Sequence, residues 1–493
     1  MAESTRYLAF DLGAGSGRAV LGVLEEGKLT IREISRFPNR MLRLRGHHHW
    51  NVYGLFEKLR DAMARAAEDP GGAPAGAAVD TWGVDFCLFA RDGSLLGLPF
   101  AYRDLRTQGM PEKFFREIPA RRVYEKTGIQ TMAINTLFQL YAMAREKSPL
   151  LEAAERLLMM PEALSYFLSG VMRSERTIAS TSQIFNPTLG VWDPELTEIL
   201  GLPPGLLGEV GEPGAVLGPL EEDLASETGL KGLSVVAGAG HDTAAAVAAV
   251  PAEGDDWAYV SCGTWSLIGV ELDAPLLSEE AFRRNYTNEG GVGGKIRFLK
   301  NVSGLWLLQE CRRAWGDPPW EKLVEEARLA EPFQAFLDPD WEGFLNPPDM
   351  PAAIREFCGK TGQETPSYRG GLVRAILESL ALKYRIVLDG LEEVLGRKIG
   401  RLHLVGGGAR NELLCRFTAD AAGIPVTAGP FEATSIGNVL VQAMALGALE
   451  SLEEIRRVVR DSFPLQVFEP RGEGAWEKAL ARYREFQEKA EGI

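Results

Sequence analysis

Tyr7-Leu-Ala-Phe-Asp-Leu-Gly-Ala-Gly-Ser-Gly-Arg-Ala-Val-Leu-Gly-Val-Leu24 consists of two apolar runs joined by a glycine-rich turn. Tyr7–Leu12 and Arg18–Leu24 read as strands, and Lys28–Ile34 reads as a third after Glu25, Glu26 and Gly27. An amphipathic helix over Val52–Ala67 and strands at Ala77–Trp82 and near Phe86–Ala90 come next. Strand-strand-strand-helix-strand is an α/β layout with an antiparallel component, not a doubly wound βαβ start. The glycines fit that reading. Gly13-Ala-Gly15-Ser-Gly17 lacks G-x-G-x-x-G spacing and leads into a strand, so a Rossmann dinucleotide site is not indicated.

The second informative stretch is Leu233–Val250, which is small and apolar except for His241 and Asp242. A lone carboxylate in such a segment is costly to bury unless something pairs with it or uses it. Leu233–Ala237 reads as a buried strand, followed by a glycine turn and a helix beginning near Thr243. Asp242 then sits at a strand-to-helix junction, where orphan N–H groups favour anions. Both a catalytic acid–base group and a helix N-cap fit that position.

From Trp257 the opening order returns. Strand Trp257–Ser261 enters the turn Cys262-Gly263-Thr264, and strand Ser266–Glu271 follows. A helix over about Leu372–Leu395, strand Leu402–Val405, the run Gly406-Gly407-Gly408, helix Glu412–Ala422 and strand Val426–Ala428 complete this half. Residues 108–170 read as mostly helical, with Pro161 opening a helix that ends at Gly170. Two similar openings indicate a duplicated domain, 1–250 and 251–493, with the boundary near Pro251.

Composition narrows the function classes. The chain has 493 residues, 45% hydrophobic and 25% charged, as in an ordinary soluble protein of two large domains. A net charge of −15 argues against general nucleic-acid or anionic-membrane binding. Arg36, Arg40, Arg43 and Arg45 read as a solvated loop. Five widely spaced cysteines without a C-x-x-C pair fit neither a disulfide framework nor a zinc site, and suit a reducing cytoplasm. No leader with basic and apolar regions is read at the N-terminus. Cys358-Gly359-Lys360-Thr361 ends like a P-loop, but Ile354 replaces the required first glycine. His47-His48-His49 lacks a second ligand group and reads as surface loop.

Three glycine turns at strand ends suit phosphate and nucleoside binding. The hairpin after Asp11 exposes successive N–H groups, and Asp11 could hold Mg²⁺ through water. Ser261–Ser266 has the same build. Gly406–Gly408 lets a flat base or ribose approach the backbone.

This series resembles the FGGY carbohydrate kinases. The resemblance is carried by Asp80-Thr-Trp-Gly-Val-Asp-Phe86, Tyr102-Arg-Asp104 with Arg106 and Thr107, Gly240-His-Asp-Thr243 and Ser261–Ser266. Thr287-Asn-Glu-Gly-Gly291, Lys300-Asn301 and Gly304-Leu-Trp-Leu-Leu-Gln309 continue it, and it spans about residues 6–470. Cys262 departs from the more usual serine. The resemblance implies two actin-like (ribonuclease H-like) domains with a catalytic cleft between them, closing on the sugar. It implies a cytoplasmic monomer or homodimer that uses ATP and Mg²⁺ to phosphorylate a ketose, L-rhamnulose, at its 1-hydroxyl. Asp242 would be the general base. Ala14, Gly15, Ser16, Gly17, Arg18, Thr264, Gln309 and Gly407 would contact ATP; Gly83, His241, Thr243 and Asn301 would line the sugar pocket. Trp82, Phe86 and Trp265 are available either as apolar walls or as core. Fuculose, xylulose or glycerol as substrate, and an actin-like ATPase without a sugar substrate, remain the alternatives.

Overall fold

The computed structural model describes residues 4–472 and 474–490. The chain is α/β and forms two compact units. The first contains residues up to Ala249 with Glu271–Leu299 and Ala433–Ser462; the second contains Val250–Val270, Lys300–Glu432 and the chain from Phe463 onward.

The first unit is built on a six-stranded sheet. Its order is Ala215–Pro219, Ser234–Ala237, Gly76–Thr81, Thr5–Leu12, Ser16–Glu25, Lys28–Pro38. Thr5–Leu12, Gly76–Thr81 and Ser234–Ala237 run parallel, while the hairpin strands Ser16–Glu25 and Lys28–Pro38 continue antiparallel. Tyr7–Leu12 is buried along its whole length, which explains its unbroken apolar sequence. Leu8, Phe10 and Leu12 face a core shared with Leu55 and Leu59 of helix Val52–Ala67 and with Ala163 and Leu164 of helix Met160–Ser169. Asn51 starts the first of these helices by accepting from the Gly54 N–H at 3.1 Å.

The opposite face carries small residues around Tyr7. Tyr7 is in register with both Gly22 and Gly76, and Ala9 with Ala78. A Cβ on Gly22 would stand 2.5 Å from Val439, and one on Gly76 would stand 2.9 Å from Leu446. The missing side chains admit helix Ala433–Ala445, from which the Gln442 amide donates to the Leu8 carbonyl at 3.1 Å. That helix also meets helix Asp242–Ala248. There a Cβ on Gly437 would fall 1.8 Å from the Ala245 carbonyl oxygen.

The second unit repeats the pattern. Trp265–Leu272 and Trp257–Cys262 form an antiparallel hairpin; Arg401–Val405 and Val426–Ala428 continue in parallel, and Gln466–Phe468 closes antiparallel. Among the described residues no helix is long and apolar enough to cross a membrane. Cys87, Cys262, Cys311, Cys358 and Cys415 are free and buried.

Two local expectations are corrected. The expected helical stretch 108–170 contains strand Arg156–Met159, paired with Phe86–Phe89. Four apolar residues are too few for periodicity to separate strand from helix. His47–His49 is a short strand against Leu42–Leu44, not a loop. Asp104 holds it, accepting from the His48 N–H at 2.8 Å and standing 3.1 Å from His47 Nδ1. Cys358–Lys360 closes helix Met350–Lys360, so the P-loop-like run has no phosphate-loop context.

Gly437→Ala is expected to lower stability by at least about 1–3 kcal/mol, because the contact atom is backbone and cannot rotate away. Urea unfolding followed by circular dichroism measures this.

Candidate active site

Three aspartates gather at the C-terminal ends of the first unit's parallel strands. Asp11 is in register with Arg18 on one side and Asp80 on the other. The Arg18 guanidinium donates to Asp11 Oδ2 through Nη2 (2.6 Å) and Nε (2.9 Å), and the Ser435 hydroxyl donates to the same oxygen at 2.9 Å. Asp80 is fully buried; its Oδ2 accepts from the Asn438 amide at 2.6 Å, while among the described residues Oδ1 has no hydrogen-bond partner. Burial, reinforced by the charge of Asp11, pushes the Asp80 carboxyl well above the usual range.

Asp242 follows the neighbouring parallel strand. The approach loop is pinned at three points. The Thr81 N–H donates to the Gly240 carbonyl at 2.9 Å, Glu175 accepts from the Gly240 N–H at 3.0 Å, and the Thr177 hydroxyl accepts from the His241 N–H at 3.2 Å. His241 occupies the N-cap position, so the capping reading of Asp242 is corrected: Asp242 is the first residue of the helix. Its Oδ1 accepts from the Thr243 N–H (2.6 Å) and hydroxyl (3.2 Å), and His241 Nε2 lies 3.4 Å away. Among the described residues its Oδ2 takes no hydrogen bond, and the side chain is 30% exposed. Burial raises its pKa, His241 opposes the rise and Asp11 adds to it. The result is a recessed carboxylate with one oxygen held and the other available.

Gly83 belongs to a strained turn. Val84 has φ +69°, a left-handed conformation rare for a β-branched residue. The Thr181 hydroxyl accepts from its N–H at 3.1 Å, and the Thr136 hydroxyl donates to its carbonyl at 2.6 Å. Next to it, Asp85 is wholly buried and accepts from the indoles of Trp50 (2.6 Å) and Trp82 (2.9 Å), the Tyr102 N–H and the Gln139 amide. Trp82 and Phe86 are therefore core residues, with the Trp82 ring 4.3 Å from that of Trp50. Asp104 meets His47 and the His48 N–H, and Arg103 lies over the Tyr102 ring. Strain of this kind persists only where surrounding bonds over-determine the backbone, as happens at binding sites.

The glycine turns have different burdens. In the first, the Gly13 N–H donates to the Ser16 carbonyl, and Asn39 ties down Gly13 and Gly15. Gly15 and Ser16 are exposed and Ala14 is half-buried, while a Cβ on Gly17 would strike Phe37 at 2.4 Å. In the second unit, the Thr264 hydroxyl donates to the Gln309 side-chain oxygen at 3.2 Å, and Gly304 and Leu305 N–H groups close the turn on Thr264 and Gly263. Gly406 has φ +82°, and a Cβ on Gly408 would stand 2.2 Å from Cys262 Sγ, so the glycine run seats against that hairpin. Gly407 is exposed with open space above it. Asn301 stands half-buried on strand Ile296–Ser303.

Reading along the chain alone assigned no role to Asp80, Glu175, Ser435 or Asn438. Asp80 follows the apolar run Ala77–Val79, a signal like that of Asp242, whereas Glu175 lies between Arg173 and Arg176 and carries no such signal along the chain. Ser435 and Asn438 reach the site only through folding. Among the described residues no three His, Cys, Asp or Glu side chains form a metal-holding group.

The sequence profile of the FGGY family of carbohydrate kinases, N-terminal domain, matches residues 6–249, and that of its C-terminal domain matches residues 258–446. The chain belongs to this family and is a sugar kinase. A rhamnulokinase of Bacteroides thetaiotaomicron is 48% identical over 97% of this chain and 98% of that protein. A rhamnulokinase of Bacillus subtilis is 40% identical over 94% and 95% respectively. Among solved structures, a ligand-bound xylulose kinase from Lactobacillus acidophilus superposes with a TM-score of 0.82 at 17% identity, covering 99% of this chain and 97% of that one. A gluconate kinase from the same organism gives 0.81 at 17% identity, with coverage of 99% and 97%. These two likenesses establish the shared fold.

Burial raises Asp85 to about 6, Glu175 to about 7 and Glu162 to about 8. The folded state thus keeps these protons at a pH where the unfolded chain, with carboxyls near about 4, has lost them. Their contribution to stability is complete below about pH 4 and is lost as pH rises through about 6 to 8. Calorimetric scans are expected to show Tm falling across that interval, with a shallower fall in Glu175→Gln.

Proposed function

We propose that this kinase transfers the γ-phosphoryl group of ATP to the 1-hydroxyl of L-rhamnulose, giving L-rhamnulose 1-phosphate and ADP. The observation that carries the reading is the near-full-length likeness to rhamnulokinases. The site geometry supports it independently, because Asp242 combines a raised pKa with an unengaged oxygen. Residues 1–250 would act as the sugar-binding, base-bearing domain and 251–493 as the domain of the second phosphate and adenosine loops.

Phosphoryl transfer is chiefly positioning and charge stabilisation around a loose transition state. Asp242 Oδ2 accepts the hydroxyl proton as the bond to phosphorus forms, while Thr243 holds Oδ1. Burial makes the carboxylate more basic than a solvated one, which suits a general base. Gly83, His241, Thr243 and Asn301 bind the sugar. Ala14 to Arg18 cradle phosphates with backbone N–H groups, and Thr264, Gln309 and Gly407 bind the rest of the nucleotide. Arg18 also neutralises Asp11.

Mg²⁺ binds through one or two carboxylates plus substrate phosphates, so no all-protein cage is required. Asp11 would fill that role through water: its carboxylate stands in register with buried Asp80, whose Oδ1 takes no hydrogen bond among the described residues. The ion would offset phosphate charge when ATP is bound.

A coupled ADP-release assay over a panel of ketoses and polyols tests the reading. The strongest signal is expected with L-rhamnulose. Absence of sugar-dependent ADP release would refute kinase action on these sugars, and a stronger signal from another sugar would redirect the substrate. Asp242→Asn is expected to cut kcat at least about a hundredfold, with ATP binding by calorimetry preserved. Full turnover in that variant would remove Asp242 from the base role.

A further inference from the structure

The Thr287-Asn-Glu-Gly-Gly291 stretch has no role so far, and its surroundings supply one. Glu289 and Arg297 are directly opposed on the antiparallel pair Thr287–Gly290 and Ile296–Ser303. Arg297 is entirely buried. Its Nε donates to the Gly290 carbonyl at 2.9 Å, and its Nη2 lies 3.1 Å from Glu289 Oε2. The Gly290 N–H in turn donates to the Ser180 hydroxyl at 2.8 Å, which fixes the hairpin. With its backbone and carboxylate partners set, the guanidinium brings Nη2 to 2.9 Å from His241 Nδ1.

That contact permits one arrangement of protons. A guanidinium nitrogen has only donors to offer and stays protonated in proteins. His241 Nδ1 must therefore present its lone pair to Arg297; a proton there would set two N–H groups against each other. Glu289 Oε2 also lies near Nδ1, at 3.4 Å, but the arginine contact is shorter by 0.5 Å. A neutral imidazole that accepts at Nδ1 carries its proton on Nε2. Nε2 is the nitrogen that lies 3.4 Å from Asp242 Oδ1.

We propose that Arg297, held by Glu289 and Gly290, is a positioning residue that fixes His241 as its Nε2–H tautomer. The imidazole then presents a donor, and only a donor, beside Asp242. Resting on the sugar-kinase reading above, two consequences follow. The sugar atom that meets His241 is an acceptor, a carbonyl or hydroxyl oxygen. His241 also has no free lone pair with which to take the hydroxyl proton, which leaves that task to Asp242. The Glu-Gly-Gly stretch thereby acts on the sugar without touching it.

Nitrogen-15 NMR of the full chain labelled at histidine tests the tautomer directly, the His241 signals being identified by their loss in His241→Asn. Long-range proton–nitrogen correlations are expected to show Nδ1 unprotonated and Nε2 protonated in the wild-type protein. A proton on Nδ1, or averaging between tautomers, would overturn the proposal. Kinetics give a second readout. Arg297→Met is expected to raise KM for the ketose about ten- to a hundredfold, the worth of one hydrogen bond to a charged group, with KM for ATP unchanged. Arg297→Lys should recover part of the loss. A folded Arg297→Met protein, judged by circular dichroism, with wild-type KM for the ketose would refute the positioning role. Should that variant not fold, the wild-type spectrum decides alone. If wild-type protein releases no ADP with any sugar, the kinase reading fails, and the spectrum still decides the tautomer.

Discussion

The first unit is organised around the cost of placing three carboxylates at adjacent strand ends. Asp11 and Asp80 lie at the ends of two neighbouring parallel strands and Asp242 follows a third, and two of them raise the pKa of the other. Like charges in a low-dielectric setting are tolerated only when nearby groups answer them. Here Arg18 and Ser435 answer Asp11, Asn438 answers Asp80, and the Thr243 N–H answers Asp242. The partners come from a hairpin, a helix at the site and a helix almost two hundred residues later. Helix Ala433–Ala445 is thus part of the site as much as the strands are.

That helix reaches the sheet because the sheet lacks side chains where it lies. Gly22, Gly76 and Ala78 clear one face, and Gly437 allows the helix to touch Ala245. Glycine weakens strand interiors and helices alike, so this packing is retained against local propensity. The close approach offsets the loss, since it delivers Ser435 to Asp11 and Asn438 to the buried carboxylate of Asp80. Loop supports follow the same logic. Glu175 and Thr177 hold the Gly240–His241 backbone, and Thr136 and Thr181 hold the strained Val84 turn.

Much of this was legible along the chain. The hairpin around Gly13–Gly17, helix Val52–Ala67 and the strand leading to Asp242 are local patterns, in which apolar periodicity and turn residues act on neighbours. The structure places them where the sequence reading does. The lone carboxylate in an apolar segment marked Asp242 because the cost of burying charge is a property of composition alone. Short elements were less legible. Arg156–Met159 is a strand only because Phe86–Phe89 lies beside it, and His47–His49 only because Leu42–Leu44 pairs with it. The aromatic side chains of Trp82 and Phe86 could be read as pocket walls or as core; Asp85 and the packing around it make them core.

The sequence by itself determined the α/β class, the repeated hairpin openings, the family and the identity of Asp242 as the residue to explain. Those follow from period, turn chemistry and desolvation cost, which depend on near neighbours. Only the tertiary structure decided that His241, not Asp242, takes the cap position. It also decided that Asp80 joins the carboxylates, that Ser435 and Asn438 serve them, and that Arg297 reaches His241. Each of these depends on a hydrogen bond between residues far apart in sequence, and no local pattern encodes such a bond. A donor 2.9 Å from one imidazole nitrogen sets where the proton sits, and only the folded chain brings that donor there.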